Sequence, residues 1–284
     1  MLRQRACDTR KLVSNAVERL SRKLDAQQAE LKECAGREAL RLYGDLITAN
    51  LHRIKKGDAY LIAENYSDPA LSEIKIPLDI TLSPSANAQH YYRRYAKDRN
   101  AERVLREQIK KGGDELLYLE SVLDSIDKAQ SSAELSEIRE ELCEAGYIKR
   151  RGAVKAQKAA PTAPRSFVSS DGFKIYVGRN NLQNDRLTLK TARKQDIWLH
   201  VKNEAGSHVV IETNGSPVPE RTLLEAAGLA AFYSKAAMSD NVPVDYTQVK
   251  NVKKPAGAKP GMVIYEGHRT LYVTPREKAG NGGV

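Results

Sequence analysis

The pattern of this chain predicts an α+β protein: an antiparallel coiled-coil hairpin with a small cap insert, followed by a compact mixed α/β domain. Three observations predict it. Residues 10–42 and 88–128 carry apolar side chains spaced alternately four and three apart. Residues 43–87 between them lose that spacing, and from Phe167 short β-branched and aromatic runs alternate with glycine and asparagine turns.

The first seam is Val13, Val17, Leu20, Leu24, Gln27, Leu31 and Cys34, with Gln27 its weak polar member. The second is Leu105, Ile109, Gly112, Leu116, Leu119, Leu123 and Ile126. Such heptads pack two helices along a narrow stripe, and heavy charge covers their other faces. We therefore expect a hairpin over 10–148. Gly112-Gly113 should weaken the second helix by about 1 kcal/mol per glycine relative to alanine and bend it there. The insert, at about 43–87, holds strand-like runs at 59–63 and 74–80, with Pro77 pushing the second toward an edge. Ser83 and Pro84 suit the N-cap and first turn of the return helix. Ser131-Ser132-Ala133-Glu134 fits a capping box, opening a short helix that Gly146 stops.

Residues 149–165 have no hydrophobic period and read as a basic linker, with five positive charges in 149–158. They suit a solvated tether or a phosphate contact. The compact domain follows at 166–275, and 276–284 reads as a loose tail. In that domain strands are expected near 173–177, 186–190, 197–201, 208–212, 246–250, 262–265 and 271–274. One helix is expected at 220–237, turning Leu223, Leu224, Ala227, Ala230 and Ala231 to the sheet.

The formal charge of +10, of which +6 falls in residues 161–284, makes a polyanionic partner plausible. Cys7, Cys34 and Cys143 have no metal-like spacing and read as reduced thiols. No apolar run approaches 18 residues and Met1 opens no signal-peptide pattern, so a cytoplasmic protein without a membrane partner is expected.

No Gly-x4-Gly-Lys-Ser/Thr, Gly-x-Gly-x-x-Gly, His-Glu-x-x-His, Cys-x-x-Cys or Gly-x-Ser-x-Gly occurs, so neither catalytic residues nor a cofactor are expected. His200, His208 and Asp196 could approach as a metal site, but a satisfied histidine is the commoner outcome, and no metal is expected. What remains is recognition chemistry. Arg179, Asn180 and Asn181 follow a strand and a glycine, either as exposed donors or as an asparagine-stabilised turn. Lys250, Lys253, Lys254 and Lys259 are interleaved with proline and glycine in one loop that could follow a phosphate track. Lys190, Arg193, Lys194 and Asp196 lead into a strand where Ile197, Leu199 and Val201 point one way, Trp198 and His200 the other. That second face is either a stacking platform for bases or a second packing face. These residues, with His208, form the candidate RNA-contacting set.

Four blocks carry a resemblance. Asp171-Gly172-Phe173-x-Ile175-Tyr176-Val177-Gly178-Arg179-Asn180-Asn181-x-Gln183-Asn184-Asp185 and Asp196-Ile197-Trp198-Leu199-His200 are the first two. The others are Gly206-Ser207-His208-Val209 and Lys253-Lys254-Pro255-x-Gly257-Ala258-Lys259-Pro260-Gly261-Met262-Val263. In this order they resemble the RNA-binding (R) domain of the NFACT family, which includes the bacterial RqcH type, the eukaryotic nuclear export mediator factor and fibronectin-binding protein A-like proteins. The resemblance is close over about 165–275 and looser over 10–148, where the family has its coiled coil and middle (M) insert. Glu204-Ala205-Gly206 departs from it, since many relatives have a proline before the glycine. Nothing resembles the family's amino-terminal or helix-hairpin-helix domain, so the chain looks like a carboxy-terminal half.

The resemblance implies a ribosome quality control factor without enzymatic chemistry of its own. Its partners would be the large ribosomal subunit (rRNA and ribosomal proteins), peptidyl-tRNA on the stalled nascent chain, and an alanyl-tRNA recruited for template-free carboxy-terminal tailing. The older family name implies the alternative of a surface adhesin binding fibronectin, which the missing secretion signal disfavours.

Overall fold

Both heptad segments are helical. The computed structural model describes residues 2–149 and 162–277, so most of the expected linker and tail lies outside the described residues. The helices are α1 (Leu2–Glu33), then after a 3-10 turn α2 (Arg37–Ala49), α3 (Pro84–Asp127) and α4 (Ser132–Glu144). The chain divides into two compact units, Leu20–Gly113 and Met1–Arg19 with Asp114–Val284.

Within Leu20–Gly113 the seam residues Leu24, Gln27, Cys34, Leu105 and Gly112 are all buried. Gln27 does not weaken the seam unanswered: its amide donates to Gln108 Oε1 at 2.6 Å. The glycine pair does not interrupt α3, which runs unbroken for 44 residues. A Cβ on Gly112 would stand 2.7 Å from Leu24 Cδ2, so the missing side chain admits the leucine, whereas Gly113 faces open space. The insert holds β1 (Tyr60–Glu64) paired antiparallel with β2 (Glu73–Pro77). Leu61, Ala63 and Ile76 pack inward on Leu46, Ile47 and Tyr91. The second strand is shorter than expected and ends at Pro77, which has no N–H to donate and whose carbonyl accepts from Tyr91 Oη at 2.7 Å. Ser83 Oγ caps α3, accepting from Ala86 N at 3.2 Å.

In the other unit Ser131 Oγ caps α4 by accepting from Glu134 N, and Gly146, at φ +84, ends it. The sheet that follows has six strands: β3 (Arg165–Val168), β4 (Lys174–Val177), β5 (Ile197–Val201), β6 (Val209–Glu212), β7 (Val242–Gln248) and β10 (Arg269–Val273). All neighbouring pairs are antiparallel, in the order β10-β7-β5-β6-β4-β3. Helix α6 (Glu220–Phe232) covers one face through Ala226, Ala227, Leu229, Ala230 and Ala231, packed on Leu199, Val201, Val209 and Val244. The small side chains let it lie close to the strands.

Several expectations need correction. Residues 186–190 are not a strand: α5 (Asn181–Arg186), capped by Asn180, runs into a π-helical turn at Leu187–Thr191. The apolar-polar-apolar sequence Leu187-Thr188-Leu189 imitates a strand, but the turn buries the first two side chains and exposes the third, which a strand's alternation would not do. Leu224 is exposed, since it sits about 100° around the helix from Leu223, and α6 stops at Phe232, short of 237. β7 begins and ends earlier than 246–250, and β3 was not anticipated. The run expected at 262–265 is only β9 (Ile264–Tyr265), paired with an unanticipated β8 (Val252–Lys253).

Candidate nucleic-acid interface

The helix-capping asparagine and its neighbours are turned inward, not toward solvent. Three glutamates on α4, at positions 134, 137 and 141, lie one turn or so apart on one side of the helix. Each takes a residue of the Arg179-Asn180-Asn181 turn. Arg179 Nη1 donates to Glu134 Oε1 at 2.7 Å, Asn180 Nδ2 to Glu137 Oε2 at 2.7 Å, and Asn181 Nδ2 to Glu141 Oε1 at 3.0 Å and Ser121 Oγ at 2.9 Å. Asn180 Oδ1 meanwhile accepts from Gln183 N, capping α5. Both asparagines are buried and their donors consumed, so the exposed-donor reading of this turn is corrected: it clamps the sheet domain to α4. Burial, opposed by the hydrogen bond from Asn181, pushes the Glu141 carboxyl up to about 7.

Trp198 is fully buried as well. It lies in a second apolar layer with Leu187, Val210, Val249 and Val252. Its ring is stacked on His200 at 5.8 Å and tilted against Tyr265 at 4.8 Å. The second face of the strand is therefore a packing face, because the π-helical turn and the β8–β9 hairpin cover it. His208 is pinned at both ring nitrogens: Nδ1 pairs with Thr188 Oγ1 at 2.8 Å and Nε2 with Gly261 O at 3.1 Å. Only the neutral tautomer with hydrogen on Nε2 lets the imidazole donate to the carbonyl and accept from the hydroxyl. Burial, reinforced by neighbouring His200, holds His208 well below the ordinary histidine range, and burial also lowers His200. Neutral imidazoles offer no charge to phosphate. Asp196 is buried and accepts from Arg193 N and Thr213 N, at 2.8 and 3.0 Å, so it shapes a turn. Among the described residues no three His, Cys, Asp or Glu side chains converge as a metal-binding group.

The lysine loop divides. Lys254 pairs with Asp185, whose other oxygen accepts from Gly261 N at 3.0 Å. Lys259 donates to the carbonyl of Ala145 at 3.2 Å and lies over the Tyr147 ring. Gly261, at φ +77, is required here because a Cβ would come within 2.9 Å of Asn181 side-chain carbons. These two lysines hold the loop down. Lys190, Arg193, Lys194, Lys250 and Lys253 remain exposed, and none makes an ion pair among the described residues. Backbone bonds from Lys250 N to Lys194 O (3.1 Å) and from Val249 N to Asp196 O (2.9 Å) tie their two segments together. The arrangement gathers uncompensated positive charge on a rigid scaffold, which suits phosphate binding.

Sequence reasoning singled out Glu134 only for a capping box and missed Glu137 and Glu141, although the helical spacing of the three was visible. It also missed an open groove of about 400 Å³ next to Lys250, lined by Ile197, Tyr246, Gln248, Asn251 and Arg269 among others. Nothing local in the sequence marks the groove, since strand pairing assembles it.

Comparison with known proteins places both halves of the chain in one family. A family model described as the NFACT protein RNA binding domain matches residues 164–268. A second model, for NFACT N-terminal and middle domains together, matches residues 1–161, which is broader than the coiled-coil and middle assignment made from sequence. The Rqc2 homolog RqcH of Bacillus subtilis is 41% identical over 276 residues, covering 96% of this chain and 48% of that protein. The ribosome quality control complex subunit NEMF homolog of Drosophila melanogaster is 27% identical over 204 residues, 68% of this chain and 18% of that one. The solved structure of the C-terminal part of the fibronectin/fibrinogen-binding protein from Streptococcus suis has a TM-score of 0.75 at 36% identity. It covers 98% of this chain and 96% of its own. The chain spans about half the length of the bacterial curated relatives it matches. With its helical half and its sheet domain each matched, the chain belongs to the NFACT family.

Proposed function

We propose that this chain is the RNA- and ribosome-contacting part of a ribosome quality control factor. The observation that carries the reading is the cluster of exposed cations Lys190, Arg193, Lys194, Lys250 and Lys253, without ion-pair partners among the described residues, on a domain matched to an RNA-binding family. Relatives named as RqcH and as a ribosome quality control complex subunit support the setting. In this reading the protein acts in the cytoplasm on large subunits obstructed by peptidyl-tRNA and recruits alanyl-tRNA for template-free tailing of the nascent chain. Peptide bond formation belongs to the ribosome, and the chain contributes binding and positioning with no cofactor. Folded RNA is recognised chiefly through phosphates, 2′-hydroxyls and shape, which is what fixed ammonium and guanidinium groups can engage.

Co-sedimentation of the purified chain with dissociated large subunits, and gel shifts with tRNA, test this. Binding is expected in both assays, with at least a tenfold loss on combining Lys194→Ala, Lys250→Ala and Lys253→Ala. Undiminished binding by that variant would count against the reading.

A second reading, fibronectin binding, is favoured by one observation, the name of the Streptococcus suis relative. Immobilised fibronectin capturing the chain with an affinity indifferent to these lysines would support it.

A further inference from the structure

Helix α6 covers only part of its sheet face. Val201, Val244 and Val273 are buried in the core it caps, whereas toward the other ends of β5, β7 and β10 Ile197 and Tyr246 are only partly buried at the edge of that core and Arg269 is exposed. There the register places Ile197 opposite Gln248, and Tyr246 between Leu199 and Arg269 on neighbouring strands. Opposed residues share a face, so the half-buried Ile197 and Tyr246 form an apolar floor with Gln248 and Arg269 standing on it. Asn251 completes the wall; its Nδ2 donates to Thr247 Oγ1 at 2.9 Å, leaving its carbonyl oxygen as an acceptor. The side chains of Gln248 and Arg269 have no hydrogen-bonding or ionic partner among the described residues. The groove holds about 400 Å³, at the small end of the range of ligand sites. Lys250 lies between Gln248 and Asn251 in the chain, and its backbone is bonded to that of Lys194.

An apolar floor with an aromatic ring, the free Gln248 amide and the Asn251 carbonyl on the wall, the exposed Arg269 guanidinium, and Lys250 close by in the chain match the chemistry of a nucleobase attached to its phosphates. The ring and guanidinium plane offer stacking, the Gln248 amide and Asn251 carbonyl offer donors and an acceptor to a base edge, and the lysines meet the phosphates. A paired duplex keeps its bases stacked inside and has nothing to insert. We propose that this groove receives one unpaired base of a structured RNA, while Lys194 and Lys250 hold the adjoining phosphates. The proposal rests on the RNA-binding reading above and adds to it a preference for unpaired nucleotides.

The test uses the full chain and two RNA hairpins of equal length. One carries a single bulged 2-aminopurine and the other carries the same base paired. The bulged RNA should bind about tenfold more tightly, the scale of one stacked base, with its 2-aminopurine fluorescence changed on binding. Gln248→Ala combined with Arg269→Lys, which keeps the charge and loses the planar stack, should abolish that preference and leave duplex affinity unchanged. Lys194→Ala with Lys250→Ala should weaken both RNAs alike. Equal affinity of the parent chain for the two hairpins, or a preference that survives the groove variant, overturns the proposal while RNA binding stands. Failure to bind either hairpin overturns the RNA-binding reading and the groove assignment with it. Circular dichroism melting of each variant separates lost binding from lost folding.

Discussion

Glu141 and Asn181 meet where α4 touches the sheet domain, and their chemistry sets two measurable properties. Asn181→Ala removes the amide that satisfies a buried carboxyl, a change worth about 1–3 kcal/mol. Urea unfolding should show that loss, while tRNA affinity at fixed salt stays as in the parent. The second property is pH dependence. The folded-state value of Glu141, about 7, lies above its ordinary 4.5. Its contribution to stability is therefore full below about pH 4.5 and is lost as pH rises through about 7. Glu141→Gln, uncharged throughout, should gain stability over the parent between pH 5 and pH 8, by on the order of 1–3 kcal/mol. Thermal melts at the two pH values check it; an equal difference at both would contradict it. The side-chain alternation about Trp198 was legible from sequence, but which reading of its second face held was not. The layer that buries the tryptophan comes from residues 187–192 and 249–265, on either side of the strand in the chain.

At the scale of elements, α1 and α3 were readable because a coiled-coil seam has a short, local period. The glycine pair in α3 was readable only as composition, and its two members behave oppositely in space. Gly112→Ala would drive a methyl group into Leu24 and should cost about 1–3 kcal/mol despite alanine's better helix propensity. Gly113→Ala meets nothing within 4 Å and should stabilise by about 0.5–1 kcal/mol. Denaturant midpoints of the two variants, moving in opposite directions, check the pair. The π-helical turn at Leu187–Thr191 escaped detection for a related reason: an apolar-polar-apolar sequence over three residues does not distinguish a widened helical turn from a strand. The Arg179-Asn180-Asn181 turn was recognisable as polar and capping, but the sequence alone did not reveal the glutamates that consume its donors.

For the whole molecule, the formal charge of +10 pointed to a polyanion without saying which cations meet it. Folding sorts them: Arg179, Lys254 and Lys259 are spent on internal partners, while Lys190, Arg193, Lys194, Lys250 and Lys253 stay exposed without an ion-pair partner among the described residues, Arg193 donating only to the neutral Asn214 side chain. The salt dependence of tRNA affinity measures this division most directly. Each phosphate contact contributes roughly 0.7–0.9 to the slope of log affinity against log salt. Combining Lys194→Ala, Lys250→Ala and Lys253→Ala should flatten that slope by about 2–3, whereas Arg179→Ala should leave it as in the parent. A slope that the triple variant does not change, or that Arg179→Ala flattens as much, would contradict the account.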